Sequence, residues 1–179
     1  MKNDIEKVLL SEKEIADIIA NLGQQISKDY KDKNLLMVSI LKGSVVFMAD
    51  LMRAIDIHCR IDFMCVSSYG SGTSSSGSVK ILKDLEIDLR NYELLLVEDI
   101  LDSGKTLSNV KQMLLTRNPS SVKICTFLDK PARRESDIKA DYVGAVVPDE
   151  FVVGYGLDYD EKYRNLPYLG VLKPAVYEK

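Results

Sequence analysis

Hydrophobic and polar positions along this chain change period repeatedly, from helical to strand-like and back. Ile15, Ile18, Ile19, Leu22 and Ile26 recur on one helical face, and Ser11 with Glu14 supplies a capping-box pair just ahead of them. Residues 35–41 form a short apolar-rich run that predicts a buried strand, and Gly43-Ser44 then turns into residues 45–57, which read as a largely buried helix. A strand is expected over 61–67, followed by the flexible stretch Gly70-Ser71-Gly72-Thr73-Ser74-Ser75-Ser76-Gly77. Val79 and Ile81 alternate with polar neighbours, so that stretch is expected to join two antiparallel strands near a sheet edge. A buried strand over residues 94–97 ends in the acids Glu98 and Asp99, and Leu107, Val110, Met113 and Leu114 return to helical spacing. Residues 122–128 and 142–147 supply two further strands. Such alternation implies an α/β fold, with a mostly parallel central sheet flanked by helices on both faces. No internal repeat is visible, and the Gly/Ser stretch is the only low-complexity segment.

Composition narrows the class. A chain of 179 residues with 46% hydrophobic content can bury one substantial core, and its length favours a single domain. The net charge of −3 offers no general attraction to nucleic acid or to an anionic membrane, so a phosphate ligand must be gripped by local geometry. Cys59, Cys65 and Cys125 lack C-x-x-C spacing and read as buried free thiols of a reducing compartment. The start, Met1-Lys2-Asn3-Asp4-Ile5-Glu6, has no apolar signal region, and no apolar run approaches the ~18 residues of a membrane span. A soluble, cytoplasmic protein is expected.

The densest chemistry lies between residues 94 and 107, where strand, carboxylates, glycine turn and helix follow in order. The connecting loop falls at the carboxyl end of a strand, where open α/β sheets bind ligands. Backbone N–H groups of Asp102, Ser103, Gly104, Lys105 and Thr106 would form a nest at the positive end of the helix, a seat for phosphate. Gly104-Lys105-Thr106 has the tail of a Walker A loop, but that motif needs glycine at 99, where this chain has Asp99. A P-loop kinase is thereby disfavoured. Glu98 and Asp99 would repel a polyphosphate close by, yet paired carboxylates suit the two donors of a vicinal diol. One phosphate seat beside acids for a diol describes ribose 5-phosphate.

Val97-Glu98-Asp99-Ile100-Leu101-Asp102-Ser103-Gly104-Lys105-Thr106 resembles the phosphoribosyl-pyrophosphate signature of type I phosphoribosyltransferases. Leu41-Lys42-Gly43 resembles the family's pyrophosphate loop, Ser67-Ser68-Tyr69-Gly70 its mobile flap, Lys130 its base-reading lysine, and Phe151-Val152-Val153-Gly154-Tyr155-Gly156-Leu157-Asp158 its purine-binding segment. These matches keep the family's order and point to its hypoxanthine-guanine branch. The resemblance implies a core at about 34–148 and a small hood from about 1–10 and 149–179. It also implies transfer of a 5-phosphoribosyl group from phosphoribosyl pyrophosphate to a 6-oxopurine, with IMP or GMP and pyrophosphate as products.

Roles follow from that resemblance. Glu98 and Asp99 would orient the ribose hydroxyls, partly through Mg2+, and Asp158 would contact a second magnesium. Asp102 is the candidate general base, facing N7 of the purine; its plainer reading is a helix N-cap, and both can hold at once. Lys42, Gly43 and Arg164 would hold pyrophosphate, and the Leu41-Lys42 peptide can be cis in this family. Lys130 has donors and no acceptor, so it pairs with a 6-oxo group and rejects a 6-amino group. Phe151 would stack on the base, and the carbonyls of Val152 and Asp158 would accept from ring or 2-amino nitrogens. Ser68 and Tyr69 would open a lid that excludes water. Each of these has a plainer reading: a surface lysine or arginine, a core phenylalanine, an exposed acidic turn at Asp158-Tyr159-Asp160-Glu161, a Gly/Ser hairpin loop. The only histidine, His58, shows no partner at useful spacing.

Two rival readings stand beside this one. Some proteins of this fold are nucleotide-sensing regulators that bind RNA or DNA; Glu98, Asp99, Asp102 and Lys130 argue for retained catalysis, and Arg133-Arg134 is too short a basic cluster for a nucleic-acid surface. A related transferase using xanthine or a pyrimidine is the other. A homodimer or homotetramer is the expected assembly.

Overall fold

The computed structural model describes residues 1–68 and 79–178, so the Gly/Ser stretch and Tyr69 lie outside the described residues. The strands are β1 (Ile5–Leu10), β2 (Leu35–Leu41), β3 (Cys59–Ser68), β4 (Val79–Lys83), β5 (Glu93–Leu101), β6 (Ser121–Asp129), β7 (Tyr142–Val146), β8 (Val152–Val153) and β9 (Leu169–Leu172). The helices are α1 (Glu12–Asp29), α2 (Val45–Ala54), α3 (Lys105–Leu115) and the single turn α4 (Pro174–Tyr177). Six strands form the main sheet in the order β4-β3-β2-β5-β6-β7, parallel except for the β3–β4 pair at its edge. This is the expected α/β architecture. A second sheet, β1-β9-β8, is antiparallel and joins the two ends of the chain, where the family resemblance places a hood.

Strand periodicity sorts the core into two layers. Leu35, Met37, Leu95, Val97, Cys125 and Phe127 face α1 and α2, while Leu36, Val38, Leu94, Leu96 and Ile124 face α3. Full burial of each such side chain is worth about 1.5–3 kcal/mol, and alternating the two sets along one strand lets helices cover both faces. The α1 capping box forms as expected, with Ser11 accepting from the Glu14 backbone and Glu14 from the Ser11 backbone. Among the described residues no helix is long and apolar enough to cross a membrane.

The boundaries that depart furthest from the sequence reading are three, besides one-residue shifts in β6 and β7. The helix expected over 45–57 stops at Ala54, because Ile55 turns extended to fill the core and Asp56 N–H donates to Ser27 Oγ on α1 at 2.8 Å. Strand β3 begins at Cys59 because parallel pairing with β2 starts there, opposite Leu35. Most consequentially, β5 does not end at the two acids. Its pairing with β2 stops at Val97, opposite Ser39, whereas its pairing with β6 continues to Leu101, opposite Asp129. Glu98 and Asp99 therefore sit on ordered strand, held by backbone ladder on one side and open on the other.

Candidate active site

Parallel strands β2, β5 and β6 all end at one edge of the main sheet, and their ends bring together the residues singled out from the sequence. After β2, a cis peptide joins Leu41 to Lys42, and Gly43 lies directly against β5. A Cβ on residue 43 would fall 1.7 Å from Asp99 Oδ2, so only glycine lets the loop approach that carboxylate. Ser44, fully buried, bonds Ser39 Oγ at 2.7 Å and the Ile40 carbonyl, tying the loop to the strand it leaves.

The two acids differ in environment. Burial, then the neighbouring Asp99 charge, pushes the Glu98 carboxyl well above its ordinary value, and Glu98 Oε2 has no hydrogen-bond partner among the described residues. Burial also pushes Asp99 up, to about 6, with the Asp158 charge adding to it; backbone donors and the Arg164 charge pull the other way. Ile100 N–H donates to Asp99 Oδ1 at 2.7 Å. A buried carboxylate lacking a full set of donors is poised to receive them from a ligand.

Beyond β5, Gly104 takes φ +79° as the N-cap of α3, with no side-chain cap. The capping role considered for Asp102 is thus not taken up, and Asp102 Oδ1 has no hydrogen-bond partner among the described residues; its nearest cation is Arg133 Nε at 3.7 Å. Ser103 Oγ accepts from Lys105 N–H at 3.4 Å, and Lys105 pairs with Glu135. The loop is anchored from outside by Arg134, whose Nε donates to the Asp102 carbonyl at 2.9 Å. Its Nη1 donates to the Ile138 carbonyl at 2.9 Å, and its Nη2 donates to the Leu101 carbonyl at 3.1 Å and pairs with Asp129. Glu135 N–H and Ser136 Oγ both donate to the Ser103 carbonyl, at 3.0 and 3.1 Å. These bonds from Arg134, Glu135 and Ser136 take up carbonyls and none of the nest's N–H groups, of which Lys105 N–H bonds Ser103 Oγ.

At the end of β6, Lys130 is only 5% exposed; its Nζ donates to the Glu150 carbonyl at 2.8 Å and lies 3.9 Å from Asp149. The following residue, Phe151, is 38% exposed, while Val152 is buried in β8.

A profile of the phosphoribosyl transferase domain matches residues 7–160. The chain belongs to the phosphoribosyltransferase family. It is 56% identical over 178 residues to the hypoxanthine-guanine phosphoribosyltransferase of Bacillus subtilis (strain 168), covering 99% of each chain. A crystal structure of a Staphylococcus aureus hypoxanthine phosphoribosyltransferase superposes with a TM-score of 0.98 at 55% identity, covering 100% of this chain and 97% of that one. A ternary substrates complex of the Trypanosoma cruzi hypoxanthine phosphoribosyltransferase gives 0.94 at 42% identity, covering 98% and 99%.

In this phosphoribosyltransferase the segment after β8 closes the site from the hood side. Arg164 donates from Nη1 to the Gly156 carbonyl at 2.8 Å and pairs through Nη2 with Asp158 at 2.9 Å and Glu161 at 3.4 Å. Lys42 pairs with Glu161 at 3.1 Å, which links the loop after β2 to this segment. Arg164 Nε is buried without a partner among the described residues. Among the described residues no three acidic, histidine or cysteine side chains form a preformed metal cage. The unpartnered Glu98 oxygen beside the Asp99 carboxylate, and the separate Asp158 carboxylate, nevertheless have the oxygen chemistry that suits magnesium, a hard cation that keeps waters and substrate oxygens among its ligands.

Ser68 ends β3, and Tyr69 lies outside the described residues. Several residues joined to the site were not singled out for it from the sequence: Arg134 and Ser136 brace the 102–106 loop, Glu150 offers its carbonyl to Lys130, and Asp149 sits between Lys130 and Arg133, 3.8 Å from the latter. Arg134 was visible only as half of a short basic pair.

Proposed function

We propose that this phosphoribosyltransferase is a purine salvage enzyme that transfers the 5-phosphoribosyl group of phosphoribosyl pyrophosphate to hypoxanthine or guanine, forming IMP or GMP and pyrophosphate. The observation that carries the choice of base is the buried Lys130 ammonium. It has three donors and spends one on the Glu150 carbonyl, so it can keep that bond while donating to a 6-oxo group. A 6-amino group would meet it donor to donor and leave buried polar groups unpaired.

The nest from Asp102 to Thr106 would hold the 5-phosphate, and Glu98 and Asp99 would accept the ribose hydroxyls. Lys42, the Gly43 backbone and Arg164 would hold the pyrophosphate. Phe151 would stack on the base, with the Val152 and Asp158 carbonyls reading its ring and 2-amino nitrogens. Departure of pyrophosphate ahead of the new C–N bond leaves an oxocarbenium-like sugar. Asp102, its Oδ1 unpartnered, is the group to take a proton at N7 or to offset positive charge there as the base attacks. Ser68 and Tyr69 open the segment that would exclude water from this intermediate. Glu98 and Asp99 would hold one Mg2+ on the ribose side and Asp158 would contact a second, and these ions would supply positive charge toward the leaving pyrophosphate.

The test follows nucleotide formation from phosphoribosyl pyrophosphate and Mg2+ with hypoxanthine, guanine, xanthine, adenine and uracil offered separately. Turnover of hypoxanthine and guanine with adenine and uracil inert is the expected result. Preference for xanthine or uracil would replace the assigned base, and binding of the donor without turnover of any base would replace the enzyme with a binding protein.

A further inference from the structure

Phe151 does not stand alone at the base end of the site. The Tyr177 ring lies over it with centroids 4.8 Å apart and planes 23° from parallel, while Tyr159 forms a T-shaped pair with Phe151 at 5.6 Å and 89°. Tyr159 and Tyr177 also contact each other, at 6.4 Å and 66°. The path that delivers Tyr177 is short and tied down. Leu172 N–H donates to the Phe151 carbonyl at 2.8 Å, Lys173 N–H to the Asp4 carbonyl at 2.9 Å, and Lys173 Nζ to the Asn3 carbonyl at 2.6 Å. Pro174 then opens the single turn of α4, and Val176 N–H closes on the Lys173 carbonyl.

We propose that Tyr177 is a positioning residue for the nucleobase: it backs one face of Phe151 and so fixes the plane that the other face presents to the purine. This rests on the reading of Phe151 as the stacking residue. A phenylalanine 38% exposed would otherwise turn about its side-chain bonds, and ordering it would be a cost of base binding. Offset stacking by Tyr177 and the T-shaped contact of Tyr159 meet that cost in the free protein. The next residue back, Glu150, carries the carbonyl bound to Lys130, so the stacking plane and the ammonium are set by adjacent residues.

The experiment compares the full chain with Tyr177→Leu and Tyr177→Phe. Hypoxanthine is varied at saturating donor, the donor at saturating hypoxanthine, and GMP binding is titrated calorimetrically without turnover. Tyr177→Leu should raise the hypoxanthine KM and the GMP Kd about two- to tenfold, the range of one aromatic pair, leave kcat and donor KM unchanged, and lower the melting temperature by no more than about 2–4 °C. Tyr177→Phe should restore both. Unchanged base KM and GMP Kd in Tyr177→Leu would overturn the proposal. Tighter binding in that variant would overturn it too, because Tyr177 would then cover the face the base needs, and a parallel rise in donor KM would reduce the role to general packing. If the unaltered chain turns over no base while GMP binding still follows the aromatic ring at 177, the transferase reading fails and this one stands.

Discussion

Replacing Arg134 with methionine keeps the length and apolar stem of the side chain but removes the guanidinium bonds behind the 102–106 loop, leaving those from Glu135 and Ser136 to the Ser103 carbonyl. The Asp102 and Ile138 carbonyls lose charged donors at 2.9 Å, whereas the Leu101 carbonyl keeps Lys130 N–H at 3.0 Å. Asp129 loses its cation at a place where the two side chains are 21% and 17% exposed, so water replaces the guanidinium only in part. Two charged hydrogen bonds at ~1.5 kcal/mol each, with ~1 kcal/mol for the broken ion pair, give a loss of about 4 kcal/mol. For a chain of this size that lowers the melting temperature by roughly 10 °C. The freed Asp102 carbonyl should also loosen the nest, raising the KM for phosphoribosyl pyrophosphate well below the melting range. Calorimetric melting and steady-state kinetics of Arg134→Met, with Arg134→Lys as an intermediate case, read both effects. A Met variant that melts within about 2 °C of the parent would refute the energetic argument, and lower stability with unchanged donor KM would refute the link to the phosphate loop.

Gly43→Ala places a methyl group 1.7 Å from Asp99 Oδ2 and must displace a buried carboxylate; donor KM should rise and stability should fall by about 1–3 kcal/mol, and a variant kinetically equal to the parent would show that the close approach is dispensable. Lys130→Ala should lower kcat/KM for hypoxanthine about ten- to a hundredfold, as expected for one lost charged hydrogen bond, while the melting curve shows a folded protein; equal turnover would mean the base is read elsewhere. Asp84 accepts two bonds from Arg117 at 2.8 Å, and mainly for that reason its carboxyl sits below its ordinary value. A folded value below the unfolded one means stability that is present above the unfolded value and is lost as pH falls through the folded one. Asp84→Asn should therefore flatten the acid limb of melting temperature against pH, by less than ~1 kcal/mol because Asp84 is 45% exposed, and an unchanged limb would remove the pair from the account.

The main sheet was legible because its central strands β2, β5 and β6 are buried on both faces and read as apolar runs, and α1 because its stripe and capping box agree. The overrun of β5 past Glu98 was not, since polar residues at a strand end look like the start of a loop until the partner strand is known. The hood strands left little pattern: β8 is two residues long, β9 four, and β1 is half-buried at its ends and exposed in its middle. At the site, Glu98, Asp99 and the nest were readable because the chemistry is contiguous in the chain. The brace from Arg134 to Asp102 spans 32 residues, and the contact of Phe151 with Tyr177 links a strand margin to a four-residue helix. Neither contact follows a helical or strand period, so no pattern along the chain announces it.

The small sheet has an order of assembly written into it. Every strand of the six-strand sheet exists once residue 146 has been made, but the middle strand of the small sheet is residues 169–172, with β1 on one side and β8 on the other. During synthesis from the N-terminus, β1 waits unpaired for almost the whole chain, and β8 has no ladder to join until β9 emerges. Asp102 and Lys130 directly follow β5 and β6, whose ladder is complete by then. Growth of the chain therefore builds the proposed seat for a sugar phosphate first, and the walls that would close around a base come last.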